Sequence, residues 1–451
     1  MTEKKYPNIK VEPPGPKALE WLERDKKVLA PYNRPFYYPF VAESGEGCIV
    51  RDVDGNEYID FNSGIAVMNV GHCHPKVVQA VSEQVRKFMH YSYTDFYYPY
   101  VVQLAEKLTE ITPGNFPKKF FFGNSGAEAV EAAIKVVKWH TRRPYLIAFI
   151  GAFHGRTMGA VSLTASKPIQ KKYFFPMMPG VVHVPYPYCY RCVFNLTYPD
   201  CNFYCVDYIE DMVLKKFVPP EEAAAIVFEP IQGEGGYVVP PSNYFQRLKK
   251  LADKYGILLV ADEVQSGMGR TGKWFAVEHW NLEPDVLCMA KGIASGLSLG
   301  GIMAKSEIMD WEPGAHCTTF GANPVACAAA MAVIDVIKEE NLLENATKQG
   351  EHALKRLKEM QEKYEIIGDV RGKGLMIGVE LVRSKDTKEP AEEESHEVIK
   401  RCWKKGLVII TAGDSTVRIA PPLIITRELL DTGLDILESC IKEVESEMKK
   451  K

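Results

Sequence analysis

The fold of this chain is decided by Gly256-Ile-Leu-Leu-Val-Ala-Asp-Glu-Val-Gln265, an apolar run that stops at the carboxylate of Asp262. A continuous apolar run of this length is typical of a strand in a parallel sheet that is buried on both faces. The next run of this kind, Asp285-Val-Leu-Cys-Met-Ala290, leads directly to Lys291. Because ligands bind at the carboxyl edge of open α/β sheets, Asp262 and Lys291 are predicted to meet at a ligand site.

Further short apolar runs alternate with helical patterns on both sides of this stretch. They lie at Lys119–Phe122, Tyr145–Ile150, Val181–Val184, Ala224–Phe228 and Gly301–Ala304. This alternation predicts an α/β fold with a mostly parallel central sheet and helices on both faces. We assign residues 66–330 to this large domain.

A smaller α+β domain is predicted from the two ends of the chain, residues 1–65 and residues 331–451. In the first part, Asp54-Gly55 stands between Cys48–Val53 and Glu57–Phe61, which is a strong hairpin signal. In the second part, the apolar spacing predicts helices Leu342–Lys363 and Arg427–Lys449 and strands Gly374–Leu381 and Leu407–Thr411.

Composition limits the class of function. The 451 residues are 46% hydrophobic, which is enough for a large buried core. The formal net charge of −3 gives no sign of the basic surface that nucleic acid binding needs. No apolar stretch approaches the roughly 18 residues of a spanning helix, and the polar N-terminus does not resemble a signal peptide. We therefore expect a cytoplasmic protein that acts on small molecules, with neither nucleic acid nor membrane as a partner.

Lys291 is a candidate for Schiff-base chemistry, because a partly desolvated lysine at a strand end has a lowered pKa and a nucleophilic amine. An arbitrary lysine is more often an exposed surface residue. A second feature favours the chemical interpretation: Phe120-Phe-Phe-Gly-Asn-Ser-Gly-Ala-Glu-Ala129 has the pattern of strand, turn and helix. There Ser125 can cap the helix, and Gly126 lets the backbone approach an anion at the helix start. An ordinary capping box has the same pattern, so this loop alone leaves both interpretations open.

Another apolar strand ends at Ala152-Phe-His-Gly-Arg156. Phe153 is suited to stack on a planar cofactor, and Arg156 is suited to bind a carboxylate through two hydrogen bonds. Taken alone, the ring could equally belong to the core and the arginine to a surface ion pair.

In combination these segments resemble the class III (ω-amino acid) aminotransferases of PLP fold type I, the group that includes 4-aminobutyrate and ornithine aminotransferases. The resemblance extends over nearly the whole chain. Its motifs are Gly64-Ile-Ala-Val67, Gly71-His-Cys-His-Pro75, Ser125-Gly-Ala-Glu-Ala129, Phe153-His-Gly-Arg156, Glu229-Pro-Ile-Gln-Gly-Glu-Gly-Gly236, Asp262-Glu-Val-Gln265, Lys291-Gly292, Thr319-Phe-Gly-Ala-Asn-Pro324 and Arg418-Ile-Ala-Pro-Pro422.

The resemblance implies pyridoxal 5'-phosphate (PLP) as the cofactor. It implies that Lys291 forms the Schiff base and moves the proton, and that Asp262 pairs with the protonated pyridine nitrogen. Gln265 would hydrogen-bond the phenolate oxygen of the ring, and Phe153 would stack on the ring. Further cofactor-binding residues implied by the family are Ser125, Gly126 and Ala127 at the phosphate, His154, Glu229, and Thr319, which reaches the phosphate of the neighbouring subunit. A homodimer, or a dimer of dimers, with sites shared across the interface is therefore expected.

The resemblance also implies how substrates bind. Arg156 and Arg418 match arginines that bind substrate carboxylates, the second of them the α-carboxylate of 2-oxoglutarate. Glu234 matches the carboxylate that pairs with the second arginine when an ω-amine donor is present. At the position of Ile65, 4-aminobutyrate aminotransferases resemble this chain in carrying isoleucine, whereas ornithine aminotransferases carry tyrosine.

The segment Tyr91–Tyr100 lies where the family has its substrate entrance. We hypothesise that Thr94 and Asp95 receive the distal ammonium of a diamino acid such as ornithine or lysine. The alternative is that Asp95 only caps the helix that begins near Pro99.

These observations predict an aminotransferase that moves an amino group from an ω-amine donor to 2-oxoglutarate. The main alternative is an amino-acid racemase or epimerase of the same fold, which needs a proton donor on each face of the reacting carbon. Racemases of this group resemble one another in carrying Asp at the position of Glu234. A third interpretation, a non-catalytic PLP-binding regulator, predicts a lost lysine or an added DNA-binding module, and the sequence has neither.

An insert between the strand Val181–Val184 and a helix near Asp207 carries four cysteines in a C-x2-C-x8-C-x3-C pattern, namely Cys189, Cys192, Cys201 and Cys205. Four thiolates could bind a structural Zn²⁺. They could instead form disulfides or remain as free thiols. The spacing leaves these alternatives open, and we predict no metal in the reaction itself.

Overall fold

A computed structural model describes residues 5–32 and 37–449. Its strands are β1 (Ala42–Glu46), β2 (Ile49–Asp52), β3 (Glu57–Asp60), β4 (Lys118–Gly123), β5 (Tyr145–Phe149), β6 (Val181–Val184), β7 (Ala223–Phe228), β8 (Leu258–Asp262), β9 (Val286–Met289), β10 (Gly300–Lys305), β11 (Ile367–Lys373), β12 (Met376–Leu381), β13 (Leu407–Val408), β14 (Ile410–Ala412) and β15 (Thr416–Ile419).

Its helices are α1 (Pro16–Val28), α2 (Ser63–Ala66), α3 (Pro75–Val85), α4 (Pro99–Ile111), α5 (Gly126–Thr141), α6 (Met158–Leu163), α7 (Tyr204–Tyr208), α8 (Tyr244–Tyr255), α9 (Pro324–Glu339), α10 (Leu342–Lys363), α11 (Glu392–Lys404) and α12 (Arg427–Met448). Within the described part of the chain, no helix has both the length and the apolar character needed to cross a membrane.

The central sheet has seven strands in the order β4-β10-β9-β8-β7-β5-β6. Its strands run parallel except β10, which is antiparallel to both of its neighbours, β4 and β9. Successive residues of β8 point to opposite faces: Leu259 and Ala261 pack in the same core as Leu248 of α8, and Val260 packs in the same core as Ala133 of α5. Because both faces are covered by helices, β8 is apolar throughout, and the predicted mostly parallel α/β sheet is confirmed.

Left-handed residues mark the entry to β8 and the exit from β9. Helix α8 ends at Gly256, whose left-handed φ of 61° is the conformation that glycine adopts at a helix C-terminus. The chain then enters β8 and leaves it at the buried Asp262. After β9, Lys291 itself has a left-handed φ of 46°. A non-glycine residue in that conformation stores strain, which folded proteins concentrate at functional sites.

Two four-stranded sheets lie outside the central one, in the orders β1-β2-β3-β13 and β11-β12-β15-β14. The predicted hairpin at Asp54-Gly55 is confirmed as β2 paired antiparallel with β3. Its strand β3 also pairs in parallel with β13, which joins the first and last parts of the chain in one sheet. The division into domains at residues 66 and 330 stays a prediction.

Some predicted boundaries differ from those observed. The predicted strand Leu407–Thr411 is two strands, because its residues pair first with β3 and then with β15. The predicted strand Gly374–Leu381 begins later, at Met376, since Lys373 and Met376 pair across the turn between β11 and β12. Both β11 and β15 were missed: their glycines, charges and threonines do not form an apolar run.

Candidate active site

A cavity of about 410 Å³ opens at the carboxyl edge of the central sheet, between the ends of β8 and β9 and the start of α5. It brings together ten residues predicted from the sequence, namely Ser125, Gly126, Ala127, Phe153, His154, Arg156, Glu229, Asp262, Gln265 and Lys291. It is also lined by residues that sequence reasoning missed, among them Val67, Asn124, Val264 and the loop residues 296–299. That loop has no periodic pattern that would have drawn attention to it.

The start of α5 forms one wall of the cavity. Ser125 is its N-cap, and its hydroxyl accepts a hydrogen bond from the Glu128 N–H at 3.2 Å, so the predicted cap is confirmed. Glu128 reaches back to accept the Asn124 N–H at 2.5 Å. Gly126 is required here because a Cβ would lie 2.8 Å from a methyl group of Val264. The first N–H groups of α5 are therefore open to an anion in the cavity.

Asp262 is held by donors on both of its oxygens. His154 Nδ1 lies 2.7 Å from one carboxylate oxygen, and the Val264 N–H donates to the other at 3.0 Å. Burial favours the neutral imidazole, but the hydrogen bond and charge of Asp262, together with the charge of Glu229, outweigh it and raise the pKa of His154. The orientation of Asp262 toward the cavity is thus fixed by its neighbours.

Glu229 lies beside this pair and connects two loops of the cavity wall. Its carboxylate accepts the Phe153 N–H at 2.9 Å and the Gly233 N–H at 2.7 Å. Burial raises the pKa of this carboxyl group to about 7. Glu229 therefore positions Phe153, on which the Arg156 guanidinium rests 5.4 Å from the ring centroid.

Lys291 extends into the cavity opposite these groups. Burial lowers the pKa of its ammonium, while the negative charges of Asp262 and Glu234 oppose that shift. A lowered pKa increases the fraction of neutral, nucleophilic amine at neutral pH. The residue after Lys291 is glycine because a Cβ at Gly292 would lie only 2.4 Å from the side-chain amide of Asn69.

Gln265 has a defined orientation because the Tyr237 hydroxyl donates to its Oε1 at 2.9 Å. This contact leaves the Gln265 NH₂ as a donor for the cavity. Sequence reasoning missed Tyr237, although it directly follows the quoted Gly235-Gly236.

Arg418 and Glu234 form a buried ion pair with a distance of 2.8 Å from Nη1 to Oε1. The Arg418 side chain is 2% exposed and that of Glu234 is 20% exposed. Burial alone would raise the pKa of Glu234, but the charge and hydrogen bond of Arg418 lower it overall. Burial raises the pKa of the nearby Tyr37, and the positive charge of Arg418 opposes that shift; sequence reasoning missed this tyrosine. The pair predicted from two motifs far apart in the chain is thus present.

Six predicted residues do not line this cavity: Glu234 and Arg418, which form the pair described above, and Ile65, Thr94, Asp95 and Thr319. Ile65 lies in the left-handed turn of α2 and is 39% exposed. The Thr94 hydroxyl donates to the Thr318 carbonyl at 3.0 Å, which places Thr94 beside the exposed Thr319. Asp95 is exposed and accepts a hydrogen bond from Ser92. The alternative prediction that Asp95 caps a helix is wrong, because α4 begins after Tyr98 and has no side-chain cap.

The four cysteines of the insert are close to one another and free. They line one small cavity together with aromatic side chains, including Tyr186, Phe194 and Tyr204. Burial raises the pKa of Cys189 to about 11, and the neighbouring Cys201 and Cys192 add to this shift. No group of three or more His, Cys, Asp or Glu side chains in residues 5–32 and 37–449 is arranged to hold a metal ion. In this structure the four cysteines are free thiols, and the predicted alternative of a zinc site stays a prediction.

The cavity suits the cofactor that the sequence implies. It offers helix N–H groups and the Ser125 hydroxyl for a phosphate, Asp262 for a ring N–H, and the Gln265 NH₂ for a ring oxygen. Phe153 supplies an apolar ring and Lys291 an amine in the same cavity. His154 Nε2 is buried without a hydrogen-bond partner among the described residues, so the wall contains a polar atom that the protein leaves unsatisfied.

The sequence and the structure were compared with those of known proteins. The family profile described as aminotransferase class-III matches residues 31–441. An alanine/serine racemase of Pyrococcus horikoshii is 47% identical, over 97% of this chain and 93% of its own. A 5-aminovalerate aminotransferase of Pseudomonas aeruginosa is 40% identical, over 95% of this chain and 99% of its own.

Solved structures agree with this result. A thermostable (S)-enantioselective ω-transaminase of Thermomicrobium roseum superimposes with a TM-score of 0.88 at 33% identity, covering 95% of this chain and 99% of its own. On this match and that of the family profile, the chain belongs to the class III aminotransferase family, whose members have PLP fold type I and use pyridoxal 5'-phosphate.

Proposed function

We propose that this enzyme is an aminotransferase that moves an amino group from an ω-amine donor, such as 4-aminobutyrate, ornithine or lysine, to 2-oxoglutarate. The observation that carries the proposal is the buried pair of Arg418 and Glu234, 2.8 Å apart. Leaving a buried charge without a partner is costly. Arg418 therefore stays paired until another carboxylate replaces that of Glu234.

This exchange allows one pocket to serve two substrates. With the pair closed, Arg418 presents no unpaired charge, and this side of the pocket accepts the uncharged or apolar part of an ω-amine donor. When Glu234 moves away, Arg418 binds the carboxylate of a dicarboxylate acceptor through charge-assisted hydrogen bonds. A racemase of neutral amino acids has no need for such a removable counter-charge.

The remaining residues have roles that follow from their positions. Bound PLP would supply an electron sink for the negative charge that develops on the substrate carbon. Asp262 would hold the ring nitrogen protonated, and the start of α5 with Ser125 would bind the phosphate. The neutral amine of Lys291 would take the proton from the reacting carbon. Arg156, at the cavity beside Phe153, would bind the distal carboxylate of the acceptor.

We also propose that Thr94 and Asp95 recognise the donor across a dimer interface. Thr94 contacts the Thr318 carbonyl, next to Thr319, which by family resemblance reaches the neighbouring subunit. Asp95 would then present its exposed carboxylate to the distal ammonium of ornithine or lysine in that subunit. In an Asp95→Ala variant we expect kcat/KM for ornithine to fall relative to that for 4-aminobutyrate, and an unchanged ratio contradicts this role.

The proposed function is tested with a panel of amino donors and 2-oxoglutarate. We expect glutamate to form with at least one ω-amine donor, in an amount equal to the carbonyl product. No glutamate from any donor of the panel would refute the proposal.

The second candidate is an amino-acid racemase, which the 47% identity to the alanine/serine racemase favours. Lys291 would serve racemisation equally well, with a second acid on the other face of the carbon. Glu234 is a poor candidate for that acid, because the charge and hydrogen bond of Arg418 lower the pKa of its carboxyl group and favour its ionised form.

A further inference from the structure

The loop that carries Glu234 lies between two arginines of the smaller sheet. Arg371 on β11 pairs with Gly378 on β12, and Gly378 pairs with Arg418 on β15. The two arginines therefore stand in one row across three strands, with a glycine between them. A Cβ at Gly378 would lie 3.1 Å from the Gly236 carbonyl oxygen, so the loop rests directly on this glycine.

Each arginine binds one end of the loop. Arg418 binds the Glu234 carboxylate at 2.8 Å. Arg371 donates to the Gly236 carbonyl at 2.6 Å and to the Tyr237 carbonyl at 3.2 Å. Tyr237 has a left-handed φ of 53°, a strained conformation that persists only when surrounding contacts enforce it.

Arg371 is itself fixed by groups on three segments. Its guanidinium donates to Glu380 at 2.6 Å and Asp369 at 2.7 Å. It also donates to the Tyr188 hydroxyl at 2.8 Å, and that hydroxyl donates in turn to Glu380. The side chains of Arg371 and Glu380 are only 10% and 3% exposed. The network thus links the cysteine insert, which contains Tyr188, to the loop of Glu234.

We propose that Arg371 is a positioning residue that anchors the loop of residues 234–237 and thereby sets how strongly Glu234 covers Arg418. This inference rests on the proposed function. Arg371 does not line the cavity, because it contacts the backbone carbonyls of the loop and side chains outside the cavity. Since Glu234 competes with an incoming carboxylate for Arg418, a well-anchored loop weakens dicarboxylate binding and a loosened loop strengthens it.

The test measures the Kd of glutarate, an unreactive dicarboxylate, for the PLP-loaded enzyme by titration calorimetry. Glu234→Gln removes the competing charge and is expected to lower Kd by about tenfold or more. Arg371→Lys keeps the charge but cannot reproduce the fork of donors, and is expected to lower Kd by about threefold to tenfold. Tyr188→Phe removes one hydroxyl of the network and is expected to lower Kd by about twofold.

Tyr190→Phe is the matched control on the same insert. The Tyr190 hydroxyl is buried and has no hydrogen-bond partner among the described residues, so its removal should leave Kd unchanged. A merely structural role for Arg371 would reduce stability or cofactor content, but such damage would not tighten glutarate binding. If Arg371→Lys does not fold, Tyr188→Phe carries the test.

Two results would overturn the inference, and they differ. If Glu234→Gln tightens glutarate binding while Arg371→Lys and Tyr188→Phe do not, the loop is not anchored through Arg371 and the proposed function stands. If Glu234→Gln itself fails to tighten binding, the exchange at Arg418 is wrong, and the proposed function fails together with the inference.

Discussion

Glu229 should make the stability of this enzyme fall as the pH rises from about 5 to 7. Its carboxyl group is buried in the cavity wall, and burial raises its pKa from 4.5 to about 7. In this pH range the folded state holds a proton on Glu229 that the unfolded state has released. A group with a raised folded pKa of this kind favours folding below pH 4.5 and opposes it increasingly as the pH approaches 7.

The magnitude follows from the shift. Raising the pKa from 4.5 to about 7 corresponds to about 3 kcal/mol of unfolding free energy between a pH below 4.5 and a pH above 7. The Glu229→Gln variant cannot titrate, and one of its two N–H contacts, from Phe153 or Gly233, would meet an amide NH₂ instead of an oxygen. That loss is a constant cost at every pH, so it does not affect the pH dependence.

The assay is urea denaturation of both proteins, saturated with the cofactor, at several pH values between 4.5 and 8. We expect the wild-type enzyme to lose about 3 kcal/mol relative to the variant as the pH rises through this range. Comparison with the variant cancels the other titrating groups of the protein. If the unfolding free energies of the wild type and the variant differ by the same amount at every pH, within about 0.5 kcal/mol, the assignment of a raised pKa to Glu229 is refuted.

Two substitutions and one analysis of thiol and zinc content have defined outcomes. Lys291→Ala should lower amino transfer by at least about a thousandfold, because the reaction needs the proton-transferring amine; a rate assay that leaves more than a tenth of the activity would contradict its role. Glu234→Gln should cost about 3 kcal/mol of unfolding free energy at pH 7, since it leaves the buried Arg418 without a counter-charge; a urea midpoint like that of the wild type would show that the pair is not closed in solution. The four insert cysteines should titrate as free thiols in denatured protein that has not been reduced, and protein purified without chelator should contain no stoichiometric zinc; one zinc per chain would reverse that interpretation.

The sequence was most informative where one element determines the position of a residue. Asp262 and Lys291 were placed correctly because an apolar strand ends at each of them, and the ends of neighbouring parallel strands meet at one edge. Ser125 was placed correctly because a cap and a glycine before an alanine-rich helix are local signals. A local signal also misled: an aspartate shortly before a helix resembles a cap, but helix α4 begins four residues after Asp95, at Pro99.

Long-range contacts needed either the family resemblance or the structure. The pair of Glu234 and Arg418 joins a loop of the central sheet to a strand near the end of the chain, and only the resemblance predicted it. Tyr237 and Arg371 were missed, because each acts through a partner that no periodicity reveals: Gln265 for the first and two loop carbonyls for the second. Strand β15 was missed because a buried arginine interrupts its apolar pattern.

The proposed amino transfer is tested most directly by incubating single enantiomers of donor amino acids with the PLP-loaded enzyme, with and without 2-oxoglutarate. Chiral chromatography follows the configuration of the donor, and a carbonyl assay follows the product. We expect sustained formation of glutamate and carbonyl product only when 2-oxoglutarate is present, while the remaining donor keeps its configuration. Loss of optical activity without any keto acid, and without carbonyl product, would contradict it and identify the enzyme as a racemase.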